Sequence, residues 1–202
     1  MTTLPSVVVI LRGLDPDDVL SATDALREAG VGAVEVTLNS PNALTSLARL
    51  ISTHPQYMVG AGTVRTVRHV RAVAELGARF VLSPHTDAEL ITATKNHGLL
   101  SIPGAFTPTE IEQAWNYGAD VVKVFPVHTV GPAYLRAVRE PLDNIPLLAC
   151  GGLTAELGRA CLAAGCHALG VGIGLLDQRA VRERDWPAVT RAARRYLEEI
   201  RG

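Results

Sequence analysis

The chain has 202 residues, 48% of them hydrophobic but only 4% aromatic, and a formal net charge of −1. That length suits one domain with a sizeable core, and a Val, Leu, Ile and Ala interior suits parallel strands covered on both faces. Near-zero charge with no basic run excludes the usual nucleic-acid footprint, and no stretch approaches the roughly 18 apolar residues of a membrane span.

In chain order, Val7 to Leu11 is the first strand, and Asp15-Pro16 opens a helix that Gly30 ends. Ala33 to Leu38 is the second strand, and Pro41-Asn42 opens the next helix. Tyr57 to Ala61 precedes a helix stopped by Gly77, and Arg79 to Leu82 leads through Ser83-Pro84 to one stopped by Gly98. Leu99 to Ile102 is followed by Pro103-Gly104 and a helix from Pro108 to Tyr117. Val121 to Phe125 is the sixth strand, and Gly131-Pro132 starts its helix. Pro146 to Ala149 is the seventh, followed by Gly151-Gly152 and a helix from Thr154. Ala168 to Val171 is the eighth, and Asp185 to Ile200 reads as a closing amphipathic helix. Pro, Thr or Asp opens each helix and Gly closes it. Eight such units predict an α/β chain of a single domain over residues 1–202, a (β/α)8 TIM barrel. An open doubly wound sheet normally has GxGxxG after its first strand, and Arg12-Gly13-Leu14-Asp15 is not that motif.

The N-terminus, Met1-Thr2-Thr3-Leu4-Pro5, lacks a signal-peptide pattern, so a cytoplasmic location is expected. Cys150, Cys161 and Cys166 are odd in number and lack CxxC spacing, which predicts buried free thiols.

Only two of the 19 basic residues are lysines. Lys95 sits in a polar helical stretch and reads as a surface residue. Lys123 lies inside the apolar run Val121-Val122-Lys123-Val124-Phe125. A buried ammonium gives up its proton more readily than a solvated one, and a neutral amine can attack a carbonyl to form an imine. Arginine cannot lose its proton, so a lysine kept here by an arginine-rich chain is informative. Glu35, in Val34-Glu35-Val36, is a second charge inside an apolar strand and is the expected general acid/base beside Lys123. The competing reading of the pair is a structural buried ion pair.

The strand ends supply further candidates. Cys150-Gly151-Gly152 and Gly170-Val171-Gly172-Ile173-Gly174 end strands seven and eight, where barrel loops commonly cradle phosphate; tight turns explain the glycines equally well. Thr63 offers a hydroxyl after strand three. Pro84 and Phe125 contribute to an apolar mouth suited to a small keto acid, although Pro84 reads equally well as a residue that merely stops its strand. Arg12 ends strand one, where it either clamps an anion or faces solvent. His85 and His128 follow strands four and six, but no HxH or HExxH spacing occurs, so no metal site is expected.

Together these segments resemble the 2-keto-3-deoxy-6-phosphogluconate / 6-phosphogalactonate aldolase family. The matching pieces are Ile10-Leu11-Arg12-Gly13, Val34-Glu35-Val36-Thr37-Leu38-Asn39-Ser40-Pro41, Gly60-Ala61-Gly62-Thr63-Val64, Ser83-Pro84, Ile102-Pro103-Gly104, Val122-Lys123-Val124-Phe125-Pro126, Gly131-Pro132 and Gly151-Gly152, within residues 6 to 176. The resemblance implies a class I aldolase with no cofactor and no metal, a small-molecule substrate and a homotrimeric assembly. It implies Lys123 as the imine-forming residue, Glu35 as general acid/base, Thr63 and Pro84 in the keto-acid pocket and Phe125 beside the imine. Asn39 stands where phosphogluconate-specific members have arginine, which resembles the phosphogalactonate branch and implies that Arg12 contacts substrate. Ile173 stands where many members have serine in the phosphate site. The implied reaction is cleavage to pyruvate and glyceraldehyde 3-phosphate. A non-phosphorylated substrate such as 4-hydroxy-2-oxoglutarate is one alternative, and a non-catalytic phosphate-binding barrel is another.

Overall fold

The computed structural model describes residues 3–202. Its strands are β1 (Val7–Leu11), β2 (Ala33–Thr37), β3 (Met58–Gly62), β4 (Phe80–Leu82), β5 (Leu100–Ile102), β6 (Gly104–Ala105), β7 (Val122–Val124), β8 (Leu147–Cys150) and β9 (Ala168–Gly172). The helices are α1 (Pro16–Glu28), α2 (Ala43–Thr53), α3 (Val67–Glu75), α4 (Ala88–Asn96), α5 (Pro108–Asn116), α6 (Gly131–Arg139), α7 (Ala155–Ala163), α8 (Ile173–Glu183) and α9 (Trp186–Arg201). All strand pairs are parallel, in the order β5-β4-β3-β2-β1-β9-β8-β7-β6. β5 and β6 are one stave interrupted at Pro103: the first part pairs with β4 and the second with β7, and Lys123 N–H donates to the Pro103 carbonyl at 2.8 Å. The ring is thus the expected eight-staved barrel. Gly104-Ala105, read from sequence as the approach to a helix, instead completes the fifth stave.

Local chemistry explains the boundaries. The Asp15 carboxylate accepts from the Asp17 and Asp18 N–H groups at the start of α1, and Pro16 follows it without needing a bonded N–H. Thr107 and Glu110 form a reciprocal capping box on α5. Thr66, Asp87, Thr154 and Asp185 cap α3, α4, α7 and α9 through their side chains. The helix after Ser83-Pro84 therefore starts later than that proline suggests, beyond Asp87. Gly30, Gly77, Gly98, Gly118 and Gly165 follow helix ends with positive φ, the conformation glycine adopts without a Cβ clash.

Strand alternation divides the core in two. Val7, Val9, Leu11, Val34 and Val36 face outward and pack beneath the helices. Val8, Ala33, Phe80, Leu82, Ile102, Val121, Leu148 and Ala168 fill the barrel interior, with Ile10 packed against them. The fully buried Phe80 ring fits because residue 60 is glycine: a Cβ there would overlap the ring edge. This packed floor closes the lower barrel, so inward-facing polar groups are confined to the end where the strands' C-termini lie.

The sequence reading lacked α8. Asp177 has non-helical angles (φ −160°, ψ 98°) and breaks the helix, and its carboxylate recaps the second part by accepting from Ala180 N–H at 2.9 Å. With this break and Gly174 inside it, the segment has no regular apolar period. No helix among the described residues is long and apolar enough to cross a membrane.

Candidate active site

Glu35 and Lys123 both point into the barrel. Glu35 is level with Ile10 and Gly60, and Lys123 with Leu148 and Gly104. β2 and β7 lie on opposite sides of the ring, with three staves between them in either direction. The two side chains are 3% and 7% exposed. Among the described residues, no carboxylate is within ion-pairing distance of the Lys123 ammonium, so the pair is not the closed salt bridge of the competing reading. Glu35 Oε2 is buried without a hydrogen-bond partner.

Burial pushes the Glu35 carboxyl up to about 7, against the opposing pull of the Lys123 and Arg12 charges. At neutral pH it can therefore both accept and return a proton. Gly62 makes its position possible: a Cβ at residue 62 would stand 2.5 Å from Glu35 Oε1. Cys150, one level above Leu148, also reaches this space, and burial pushes its thiol up to about 11. It is a neutral thiol near pH 7. Cys150, Cys161 and Cys166 are all buried and free, as expected.

The cavity holding these groups has a volume of about 640 Å³. Lys123, Glu35, Arg12, Thr63, Pro84, Phe125, Gly151, Gly152, Gly172 and Ile173, the ten sequence candidates, all line it. The Phe125 ring centroid is 5.4 Å from Lys123 Nζ, within cation–π range. Arg12, although exposed, turns back over the barrel: Nη1 donates to Asn39 Oδ1 at 2.9 Å and Nη2 to Thr63 Oγ1 at 3.3 Å. Thr63 has φ 58°, a strained value for a non-glycine residue. Ile173 begins α8 beside the cavity, and Gly172 provides no side-chain cap, so the N–H groups there are presented bare.

The cavity also includes Ile10, Cys150, Gly170, Gly174, Leu175 and Gln178. Alternation back from Arg12 identifies Ile10, and back from Gly152 identifies Cys150. Leu175 and Gln178 had no such signal, because they belong to the broken helix. His85 and His128 do not line the cavity; His128 packs beside Gly152. Lys95 is exposed, and its ammonium donates to Asp120 at 2.6 Å. Among the described residues, no cluster of three or more His, Cys, Asp or Glu side chains is arranged to hold a metal ion.

Fold and cavity define the class: an α/β-barrel enzyme with its site at the C-terminal mouth of the strands. The sequence model described as "Aldolase: KDPG and KHG aldolase" matches residues 1–192. The 2-dehydro-3-deoxy-6-phosphogalactonate aldolase of Escherichia coli K12 is 33% identical over 201 residues, covering 98% of each chain. The structure described as native KDPGal superposes with a TM-score of 0.86 at 32% identity, covering 98% of each chain. The KDPG aldolase of Legionella pneumophila, solved with pyruvate captured as a covalent carbinolamine, gives 0.88 at 27% identity, covering 95% of this chain and 93% of that one. The chain belongs to the KDPG and KHG aldolase family.

Proposed function

We propose that this single barrel domain is a class I aldolase acting on a 2-keto-3-deoxy-6-phospho sugar acid of the 6-phosphogalactonate or 6-phosphogluconate type. The products are pyruvate and glyceraldehyde 3-phosphate. The observation that carries this reading is the pair Lys123 and Glu35, buried on opposite staves of one cavity and not closed on each other.

Lys123 Nζ attacks the C2 carbonyl, and the carbinolamine hydroxyl takes a proton from the Glu35 carboxyl and leaves as water, giving a protonated imine. Glu35 takes the C4 hydroxyl proton. The C3–C4 bond breaks, its electron pair moves to the iminium nitrogen, and the aldehyde departs from the enamine. The enamine carbon then takes that proton back from Glu35, and water hydrolyses the protonated imine to release pyruvate and the free amine, the remaining proton returning to Glu35. The iminium is the electron sink of this sequence, so no step calls on a metal or other cofactor. A carboxyl poised near 7 supports these proton transfers in both directions. Thr63, Pro84 and Phe125 hold the keto acid, Arg12 faces an anionic group, and the glycine-lined edge at Gly151, Gly152 and Gly172 receives the phosphate through backbone N–H groups. The working form is a homotrimer in the cytoplasm.

Borohydride reduction in the presence of pyruvate should label Lys123, and an active enzyme left unlabelled there would refute the mechanism. Pyruvate release over a panel of keto-deoxy acids assigns the substrate. Ile173 supports a second reading, cleavage of an unphosphorylated compound such as 4-hydroxy-2-oxoglutarate, because a buried isoleucine at the start of α8 offers phosphate no hydroxyl. Comparing kcat/KM for the phosphorylated and unphosphorylated compounds separates the two.

A further inference from the structure

The Arg12 side chain is exposed, yet both its terminal nitrogens are engaged from neighbouring loops. One bonds Asn39 after β2 and the other Thr63 after β3. The guanidinium is thereby drawn from stave one across stave two, on the side of the cavity where Glu35 lies. A long exposed arginine samples many rotamers, and holding one of them has an entropic cost that these bonds offset.

The bracket is itself fixed. Leu38 N–H donates to the Gly62 carbonyl at 2.8 Å, and Ser40 N–H to the Thr37 carbonyl at 2.9 Å. Ser40 Oγ accepts from Gly13 N–H at 2.9 Å and lies 2.8 Å from Thr37 Oγ1. The residue after Arg12 is thus tied to the residue after Asn39, which links the two loops directly. Thr63 keeps a left-handed backbone while its hydroxyl meets Arg12. Such strain persists where the surroundings over-determine it.

We infer that Asn39 is a positioning residue: it aims the Arg12 guanidinium so that its remaining N–H groups receive an oxyanion of the substrate above Glu35. This rests on the aldolase reading and deepens it. The oxyanion is the keto-acid carboxylate or the distal phosphate, each of which presents a pair of oxygens to an arginine fork. The charged and titratable groups facing Glu35 are Lys123 from β7, Arg12 from β1 and the Cys150 thiol from β8; β3 offers only Gly60 and Gly62. Swinging Arg12 away removes one of the two positive charges, so Asn39 also governs the pH at which Glu35 gives up its proton.

The test compares wild type with Asn39→Leu, Arg12→Ala and the double variant, measuring kcat, KM and the pH profile of kcat/KM. Asn39 is exposed, so Asn39→Leu should fold. It should raise KM for the anionic partner roughly five- to tenfold, the scale of one ordinary net hydrogen bond, with a smaller change in kcat. The acid limb of kcat/KM should move to higher pH. In the Arg12→Ala background, Asn39→Leu should add nothing, because there is no guanidinium left to aim. In the condensation direction, a rise in KM for pyruvate assigns the carboxylate, and a rise for glyceraldehyde 3-phosphate assigns the phosphate. Effects that multiply in the double variant, or an unchanged KM and acid limb in Asn39→Leu, overturn the inference. Pyruvate–borohydride labelling of wild-type Lys123, run alongside, keeps the failures apart. Labelled wild type with multiplying effects removes only the role of Asn39, whereas unlabelled wild type removes the aldolase reading and this inference together.

Discussion

Gly62 and Glu35 occupy one volume: a Cβ at residue 62 would stand 2.5 Å from Glu35 Oε1 and 2.6 Å from its Cδ. The glycine is therefore what allows a carboxylate to sit against β3 and face Lys123 across the barrel.

Gly62→Ala should displace the carboxyl and leave the barrel folded, since Gly62 does not have positive φ. General acid–base groups contribute about 10²–10⁴-fold, so kcat should fall by on the order of 10²-fold. Borohydride trapping of pyruvate on Lys123 should remain detectable. A wild-type kcat in Gly62→Ala would show that Glu35 is not held by this vacancy.

The same carboxyl makes stability depend on pH. Its folded pKa of about 7 exceeds the ordinary value of 4.5, so between those values the folded state binds more protons than the unfolded one. Its contribution is fully present below about 4.5 and is lost as pH rises through 7. The size of the effect is about 3 kcal/mol at most, from roughly 1.4 kcal/mol per pH unit. Glu35→Gln, uncharged at every pH, should therefore be the more stable protein at pH 8 in urea unfolding, and the gap should close near pH 5. Equal stabilities at pH 8 would mean that the carboxylate is far better solvated than its burial indicates.

Two glycines give opposite expectations. At Gly60 a Cβ would overlap the buried Phe80 ring, which has no room to retreat, whereas at Gly172 nothing lies within 4 Å and φ is −63°. Gly60→Ala should cost about 3 kcal/mol, the upper range of overpacking. Gly172→Ala should change stability by less than about 0.5 kcal/mol. Thermal melts of the two variants are the check, and a stable Gly60→Ala would contradict the Phe80 packing.

The barrel was legible because five of its units, those of α1, α3, α4, α5 and α7, repeat the same local physics: an apolar strand, a capping side chain, a helix and a glycine of positive φ; α2 and α6 lack both the cap and the glycine. Lys123 and Glu35 stood out as charges in apolar strands, and alternation alone turns both inward. Three things were not legible. The break of stave five at Pro103 depends on which neighbour each half pairs with, a long-range relation with no local signature. The Asp177 kink in α8 erased the helical period, and Leu175 and Gln178 were lost with it. The bond from Arg12 to Asn39 joins two loops whose approach is set by barrel closure, so sequence left Arg12 between an anion clamp and a solvent-facing residue.

In the proposed mechanism Lys123 supplies two separable things, a nucleophilic nitrogen and a positive charge opposite Glu35. Lys123→Arg keeps the charge and removes the nucleophile, since a guanidinium does not lose its proton near neutrality. Lys123→Ala removes both, and the Glu35 carboxyl then loses the larger of the two charges that hold its pKa down. Imine chemistry predicts that both variants lose cleavage and borohydride labelling, with kcat down by at least about 10⁴-fold, within the rate enhancement enzymes generally provide. They should differ in stability: the alanine variant, with a less compensated buried carboxyl, should lose more stability than the arginine variant above pH 7 and approach it near pH 5, where Glu35 is protonated in both. Measurable turnover in Lys123→Arg would show that the charge suffices and that no covalent imine is needed.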